Sequence, residues 1–279
     1  TYQGDGLSHS WLTLRAMEGW IFDNPRSGYP FGSDFLDYPG SDTGNILLLK
    51  IIGTIAGNYY GDINLFFLLS FSVIFIASYC SLRTFELNKF FAFAASLLFA
   101  FLPFHFQRLG HLFYLWYFVV PIVFFLCLSF YESKEKYFSQ KDIIFLFCTS
   151  IVLASFGVYY ALFGVIAFSV CAFAIFCRSE SIKCIKAPVF AIVFVTAGVF
   201  LNIAPNIINK NLNGNNPEVA VRSASEAETY GFKLMQLILP RAGHRETHLA
   251  SLTQRYNESS PLVNENVTSS LGVVGTAGL

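Results

Sequence analysis

The chain has 279 residues, of which 54% are hydrophobic, 18% aromatic and only 13% charged, and its formal net charge is zero. Ordinary soluble domains carry about 25% charged residues, so that class is excluded, and no global positive field is present to recruit nucleic acid. Thirty-two Phe and fourteen Tyr suit a surface that meets lipid and its interfaces.

The chain opens on Thr1 and closes on the apolar, glycine-rich run 271–279, and is expected to be a piece of a longer protein. Its cysteines, at 80, 127, 148, 171, 177 and 184, show no CxxC spacing and avoid the polar regions 1–45 and 206–279. A disulfide framework or zinc site is therefore not expected, and the thiols read as small apolar side chains.

Gly4-Asp5-Gly6 comes first, and an Asp ahead of a helical pattern is most often its N-cap. Leu7, Trp11, Leu14, Met17 and Ile21 then mark one helical face, with His9, Thr13, Arg15 and Glu18 elsewhere on the wheel. Such a helix lies flat at a membrane interface or packs on a protein core. Residues 23–45 are rich in Pro, Gly, Ser and Asp and read as loop. Asp34, Asp37 and Asp42 within it are expected to be solvated loop acids, with cation binding as the sharper alternative. Ile46 to Ala56 is apolar but too short to span about 30 Å of hydrocarbon, so it is expected to be interfacial or re-entrant.

Six spanning helices are expected between 64 and 203: Asn64–Leu82, Phe90–Pro103, Leu112–Tyr131 with Pro121 inside, two from Ile143–Phe176 split at Ser155–Val158, and Ala187–Ile203 closed by Pro205. Apolar runs of this length in lipid satisfy their backbone groups as helices. Loops 83–89, 132–141 and 178–186 hold eight Lys or Arg residues, whereas 104–111 and 155–158 hold only Arg108. This bias places the first set in the cytoplasm. The other face then gathers residues 1–61, the 104–111 loop, the 155–160 turn and residues 206–279, together with all five histidines.

In the tail, Asn206–Asn216 reads as Asn-rich loop and Phe232–Leu239 as an apolar helix. His244 and His248 stand at i, i+4, which suggests one helix face, but no HExxH accompanies them. Arg241, His244 and Arg245 are suited to a phosphate. Asn257-Glu258-Ser259 and Asn266-Val267-Thr268 match a glycosylation sequon that is frequent by chance. No phosphate-binding loop or GxSxG is present, so an enzyme here would draw on a membrane-borne activated substrate. The organisation is an all-α polytopic bundle: outer-loop and interfacial helices over 1–61, the transmembrane bundle over 62–205, and an outer-face segment over 206–279.

Gly4-Asp5-Gly6 before an interfacial helix, the alternating helices, the Pro103-Phe104-His105 to Gly110-His111-Leu112 loop and the Gly157-Val158-Tyr159-Tyr160 turn together resemble the GT-C superfamily of polytopic glycosyltransferases. The resemblance covers most of residues 3–205 and implies a first transmembrane helix before Thr1. It implies transfer of a hexose or pentose from a polyprenyl-phosphate-linked sugar to an envelope glycan or lipid acceptor. The active face would be the outer side of a bacterial cytoplasmic membrane. Asp5 maps to the family's catalytic carboxylate, which is also the candidate ligand for a divalent metal, Mg or Mn. The donor phosphate and substrate would fall to His105, Arg108, His111, Tyr159, Tyr160, His244 and Arg245. A lipid-linked sugar flippase, another transporter and a non-catalytic envelope-assembly protein are the alternatives. Ionisable residues within the spans distinguish transport from transfer.

Overall fold

A computed structural model describes residues 5–22, 26–38, 40, 42–132, 139–179, 185–218, 223–259, 264, 266 and 269–277. Gly4, the Asn24-Pro25 turn, the centres of the two loops at 133–138 and 180–184, and Val267-Thr268 of the second sequon lie outside them. Among the described residues the regular elements are helices and there is no strand. The chain divides into two compact units, residues 1–215 and 216–279.

The first unit holds α1 (Asp5–Glu18), α2 (Thr43–Ala56), α3 (Tyr59–Thr84), α4 (Lys89–Ala100), α5 (Pro103–Gln107), a 3₁₀ turn (Leu112–Leu115), α6 (Val119–Glu132), α7 (Gln140–Ser155), α8 (Val158–Ser179) and α9 (Lys186–Asn213). Four segments are long and apolar enough to cross a membrane: Tyr59–Thr84, Lys89–Gln107 through α4 and α5, Val158–Arg178 and Lys186–Asn213. Polar side chains set several of the starts. Asn58 accepts Gly61 N–H ahead of α3, Asn88 accepts Phe90 N–H ahead of α4, and Ser139 with Asp142 makes a capping box for α7.

The split of 143–176 falls where the Ser155–Val158 break was expected. Three other boundaries are corrected. The run 112–131 is not one helix, because Leu112–Leu115 forms a 3₁₀ turn and α6 starts only at Val119. Pro121 therefore sits in the first turn of α6, where a missing N–H leaves no intrahelical bond unmade. α6 has 14 residues and α7 has 16, about 21 and 24 Å at about 1.5 Å per residue, short of the hydrocarbon thickness. At the far end, α9 runs straight through Pro205 to Asn213 and stops at Gly214, whose N–H donates to Lys210 O at 3.0 Å. Asn206–Asn213 is thus helix rather than loop.

Two larger cores hold this unit, beside a smaller one at Ile74, Ala100 and Tyr117. One joins α6, α7, α8 and α9 through residues such as Val123, Leu126, Leu146, Phe168 and Val195. The helices approach closely over small residues. A Cβ on Gly164 would meet Leu153 at 2.6 Å, and one on Gly198 would meet Ala154 at 2.7 Å, the usual device for packing helices that gain little from burial against lipid. The other core joins α1, α2, α3 and the 3₁₀ turn through Leu12, Ala16, Leu49, Ile63, Phe66 and Trp116.

α1 does not bury the expected stripe. Leu12, Thr13, Arg15 and Ala16 face inward while Leu7 and Leu14 stay exposed. α1 meets α2 closely at Gly53, where a Cβ would lie 2.7 Å from Met17. The buried polar groups are paired: Thr13 Oγ1 donates to His9 O at 2.8 Å, and Arg15 reaches Ser27 Oγ and Glu18. α2 also carries apolar residues outward, at Leu47, Ile51 and Ile55. Its N-terminus docks on the α7–α8 turn, where Gly44 lies against Phe156, and its C-terminus leads through Gly57 into α3.

The second unit contains α10 (Glu226–Tyr230), α11 (Leu234–Ile238), α12 (Thr247–Glu258) and α13 (Gly272–Ala277). Buried Asn264 is its hub. It accepts from Gln236 Nε2 at 3.1 Å and donates to Glu228 O at 2.6 Å and Gly231 O at 2.8 Å. The single helix face expected for His244 and His248 does not form. His244 lies in the turn before α12, and its Nδ1 accepts Glu246 N–H at 3.1 Å.

Candidate functional site

The segment between α4 and α6 builds the site, and Pro103 explains its path. Proline has no N–H, so the carbonyl four residues back loses its helical partner. Here that carbonyl is Phe99 O, and the Tyr117 hydroxyl donates to it at 3.0 Å, with Ala100 O at 3.2 Å. Tyr117 thereby pins the end of the segment to the end of α4, and everything between has to turn back across the end of the bundle. Tyr160 fixes the middle, its hydroxyl donating to Tyr114 O at 2.7 Å. Asn45 of α2 donates to Phe113 O at 3.4 Å, and Leu112 N–H donates to His9 Nδ1 at 3.1 Å. α1, α2, the 103–117 segment and the α7–α8 turn therefore meet at one end of the first unit. The end of α9 joins them, where Asn206 Nδ2 donates to Leu36 O at 2.7 Å.

Asp5 opens α1 at this end. Its Oδ2 lies 3.1 Å from His111 Nδ1, and its side chain is 67% exposed. One turn on, the His9 ring stacks on Phe113 with centroids 4.3 Å apart. Burial lowers the His9 pKa from 6.5 to about 4, against a smaller pull upward from Asp5 and with a further push downward from His111. His9 is thus a neutral imidazole that props the segment.

Tyr114 is the hub of the polar groups. Asp5, Asp42, Tyr159 and Arg108 all lie within electrostatic reach of its phenol. Its ring is 5.7 Å from those of both His111 and Tyr159. The Arg108 guanidinium lies 5.0 Å from the centroid of Phe104, a stacked placement that keeps the charge oriented.

Five of the expected site residues, Asp5, Arg108, His111, Tyr159 and Tyr160, are brought to this end, although Tyr160 spends its hydroxyl on the backbone. His105 is a correction. It is fully buried, with Nε2 2.9 Å from Ser70 Oγ, Nδ1 3.4 Å from the Tyr117 hydroxyl oxygen and its ring 3.9 Å from that of Phe71. The cause is α5, which turns position 105 inward while Phe104 and Phe106 stay out. His244 and Arg245 are exposed residues of the second unit. Among the described residues no three His, Cys, Asp or Glu side chains converge to hold a metal ion. Asp5 and His111 alone do not supply the oxygen-rich shell that Mg or Mn requires.

Tyr114 is the residue that sequence reasoning passed over, and Asp42 is one that it weighed mainly as a solvated acid. Asp42, expected as a solvated acid, is largely buried. Burial raises its pKa from 3.8 to about 6, partly offset by the hydrogen bond from Asn45. The available signal was Asn45, one helical turn after Asp42 at the start of an apolar run. Asp34 does behave as expected, exposed and accepting Leu36 N–H at 3.0 Å.

Fold and site together define a helical protein with four segments able to cross a membrane and a polar cluster at one end of its larger unit. No protein-family model, curated protein or solved structure matches the chain.

Proposed function

We propose that this chain is part of an integral membrane glycosyltransferase of the GT-C type. It moves a hexose or pentose from a polyprenyl-phosphate donor to a glycan or lipid acceptor on the outer face of a bacterial cytoplasmic membrane. The observation that carries this reading is the convergence of Asp5, His111, Arg108 and Tyr114 at one end of helices apolar enough to cross a bilayer. A donor whose lipid lies in the membrane presents its phosphate at that depth. Arg108 offers that phosphate a planar fork of donors, His111 adds a second cationic or hydrogen-bonding group, and the exposed Tyr159 ring suits a sugar face. The carboxylate of Asp5 sits where positive charge develops on the sugar as the phosphate departs. The excess of Lys and Arg in the opposite loops supports the outward orientation of this end.

The test is reconstitution of the full-length protein with synthetic polyprenyl-phosphate hexose and pentose. Release or transfer of the sugar that depends on Asp5 supports the reading, and an inert protein with both donors sinks it. Impermeant labelling of a cysteine placed at Glu132, in a cysteine-free background, reports orientation: labelling from outside intact cells reverses the topology.

Asp62 favours transport as the second reading. It lies in the first turn of α3 with no exposed surface, and among the described residues neither carboxyl oxygen has a hydrogen-bond partner. An ionisable group buried in a span is a hallmark of ion or substrate pathways. Movement of a lipid-linked sugar across vesicles, abolished by Asp62→Asn and without any transfer, would replace the transferase reading.

A further inference from the structure

Asp42 stands in the N-cap position of α2 yet caps nothing, for its side chain makes no cap hydrogen bond to the helix. Its Oδ1 instead accepts Asn45 Nδ2 at 3.1 Å, and Asn45 is itself fully buried and tied to Phe113 O. An Asp kept only for capping would use a backbone N–H of the first turn. This one accepts from the side chain of Asn45 in that first turn instead.

What it faces is the α7–α8 turn. Gly157 has φ +116°, and a Cβ there would lie 3.5 Å from Tyr160, 3.8 Å from Asp42 Oδ1 and 3.9 Å from the Tyr114 ring. Three side chains from three elements thus converge on the one residue of the turn that has no side chain, and Asp42 keeps part of its surface exposed there. The backbone conformation is one that glycine adopts and other residues rarely do. Asp5, on the other side of Tyr114, is placed differently: two-thirds exposed and already paired with His111.

Resting on the transferase reading, we infer that Asp42, and not Asp5, takes the proton of the acceptor hydroxyl, leaving Asp5 and His111 to the charge of the donor. In the step, the acceptor oxygen forms its bond to the anomeric carbon as the bond from that carbon to the phosphate oxygen breaks. The electron pair leaves with the polyprenyl phosphate, and the hydroxyl proton passes to Asp42, which returns it to water. Partial burial, against a single amide donor, raises the Asp42 carboxyl to about 6, and a general base is most effective when it titrates near working pH. The groups facing it are Asn45 on its own helix, Tyr114 from the segment and Tyr160 from α8, with Asp5, Arg108 and Tyr159 beyond Tyr114.

The experiment uses the full-length protein with polyprenyl-phosphate hexose and pentose, comparing wild type, Asp42→Asn, Asp42→Glu and Asp5→Asn. The measurements are turnover against pH, donor binding and a melting curve. Asp42→Asn is expected to fold, to bind donor as wild type does and to lose about 10²–10⁴-fold in turnover, the scale of lost general-base help. Its residual activity is expected to lack the rise through pH 6 that wild type shows. Asp42→Glu restores part of the turnover. An infrared band of protonated carboxyl that titrates near pH 6 is expected to vanish in Asp42→Asn and to persist in Asp5→Asn. If wild type transfers sugar and Asp42→Asn keeps its turnover, or keeps the band, the inference is overturned while the transferase reading stands. If wild type transfers from neither donor, both fall together.

Discussion

Two halves of one segment treat their histidines in opposite ways. In 103–107, His105 is sealed between α3 and Tyr117, with both ring nitrogens near hydroxyls and its faces on Phe71 and Phe67. In 108–114, His111 stands open beside Asp5, with Arg108 and Tyr114 close by. The two halves are contiguous in the chain and each carries one histidine. The difference teaches that a polar group at the end of a membrane bundle does one of two jobs. It repairs the backbone and side chains that a helix break leaves unsatisfied, or it is left for a ligand. His105 belongs with the repair of the break at Pro103, and His111 with the site.

Removing the charge that faces the open half should affect function more than any change in the sealed half. Asp5→Asn is expected to lower turnover by about 10²–10³-fold, the scale for losing one preorganised electrostatic group. Its melting temperature should stay near that of wild type, because an exposed side chain of this kind contributes little to stability. Full turnover in a stably folded Asp5→Asn protein would break the comparison outright.

The sealed half should respond the other way. His105→Ala leaves a cavity and takes one partner each from Ser70 and Tyr117, and is expected to cost about 2–4 kcal/mol of stability. Donor affinity of the molecules that remain folded should be unchanged. A loss of donor affinity with no shift in melting would move His105 back into the site.

A milder change sharpens the role of Arg108. Arg108→Lys keeps the charge but loses the planar fork and its stacking on Phe104, so donor affinity should fall by about tenfold with the fold intact. Unchanged binding would make Arg108 an interfacial anchor.

The smallest effect is in the pH dependence of stability, where two buried groups act with opposite sign. His9 has a lowered folded pKa, so its contribution is present above pH 6.5 and is lost as pH falls toward about 4. Asp42 has a raised folded pKa, so its contribution is present below pH 3.8 and is lost as pH rises through about 6. Melting curves of His9→Phe should therefore fall less steeply than wild type between pH 6.5 and 4. Asp42→Asn should gain stability over wild type above pH 6 and lose that gain below pH 4. The gain would fit a group kept at a cost to stability for the sake of function. Parallel curves for wild type and both variants would show that neither group is as dry as its surroundings indicate.

Composition and periodicity alone were enough for the helical class, for α3, and for the hairpin broken between Ser155 and Val158. Each rests on lengths of apolar chain, and length against the hydrocarbon is a local quantity. Asp5, Arg108 and His111 were legible for a related reason, since residues at the ends of spans on one side are forced into one layer. Tertiary structure alone decided the rest. It turned α1 so that Ala16 and Thr13 pack and Leu7 and Leu14 do not, because close approach to α2 outweighs the size of the apolar stripe. It carried α9 through Pro205, withdrew His105 into the core and buried Asp42. Whether a polar side chain is solvated or enclosed depends on which elements fold over it, and for Asp42 those elements lie more than a hundred residues away in the chain, at Gly157 and Tyr160.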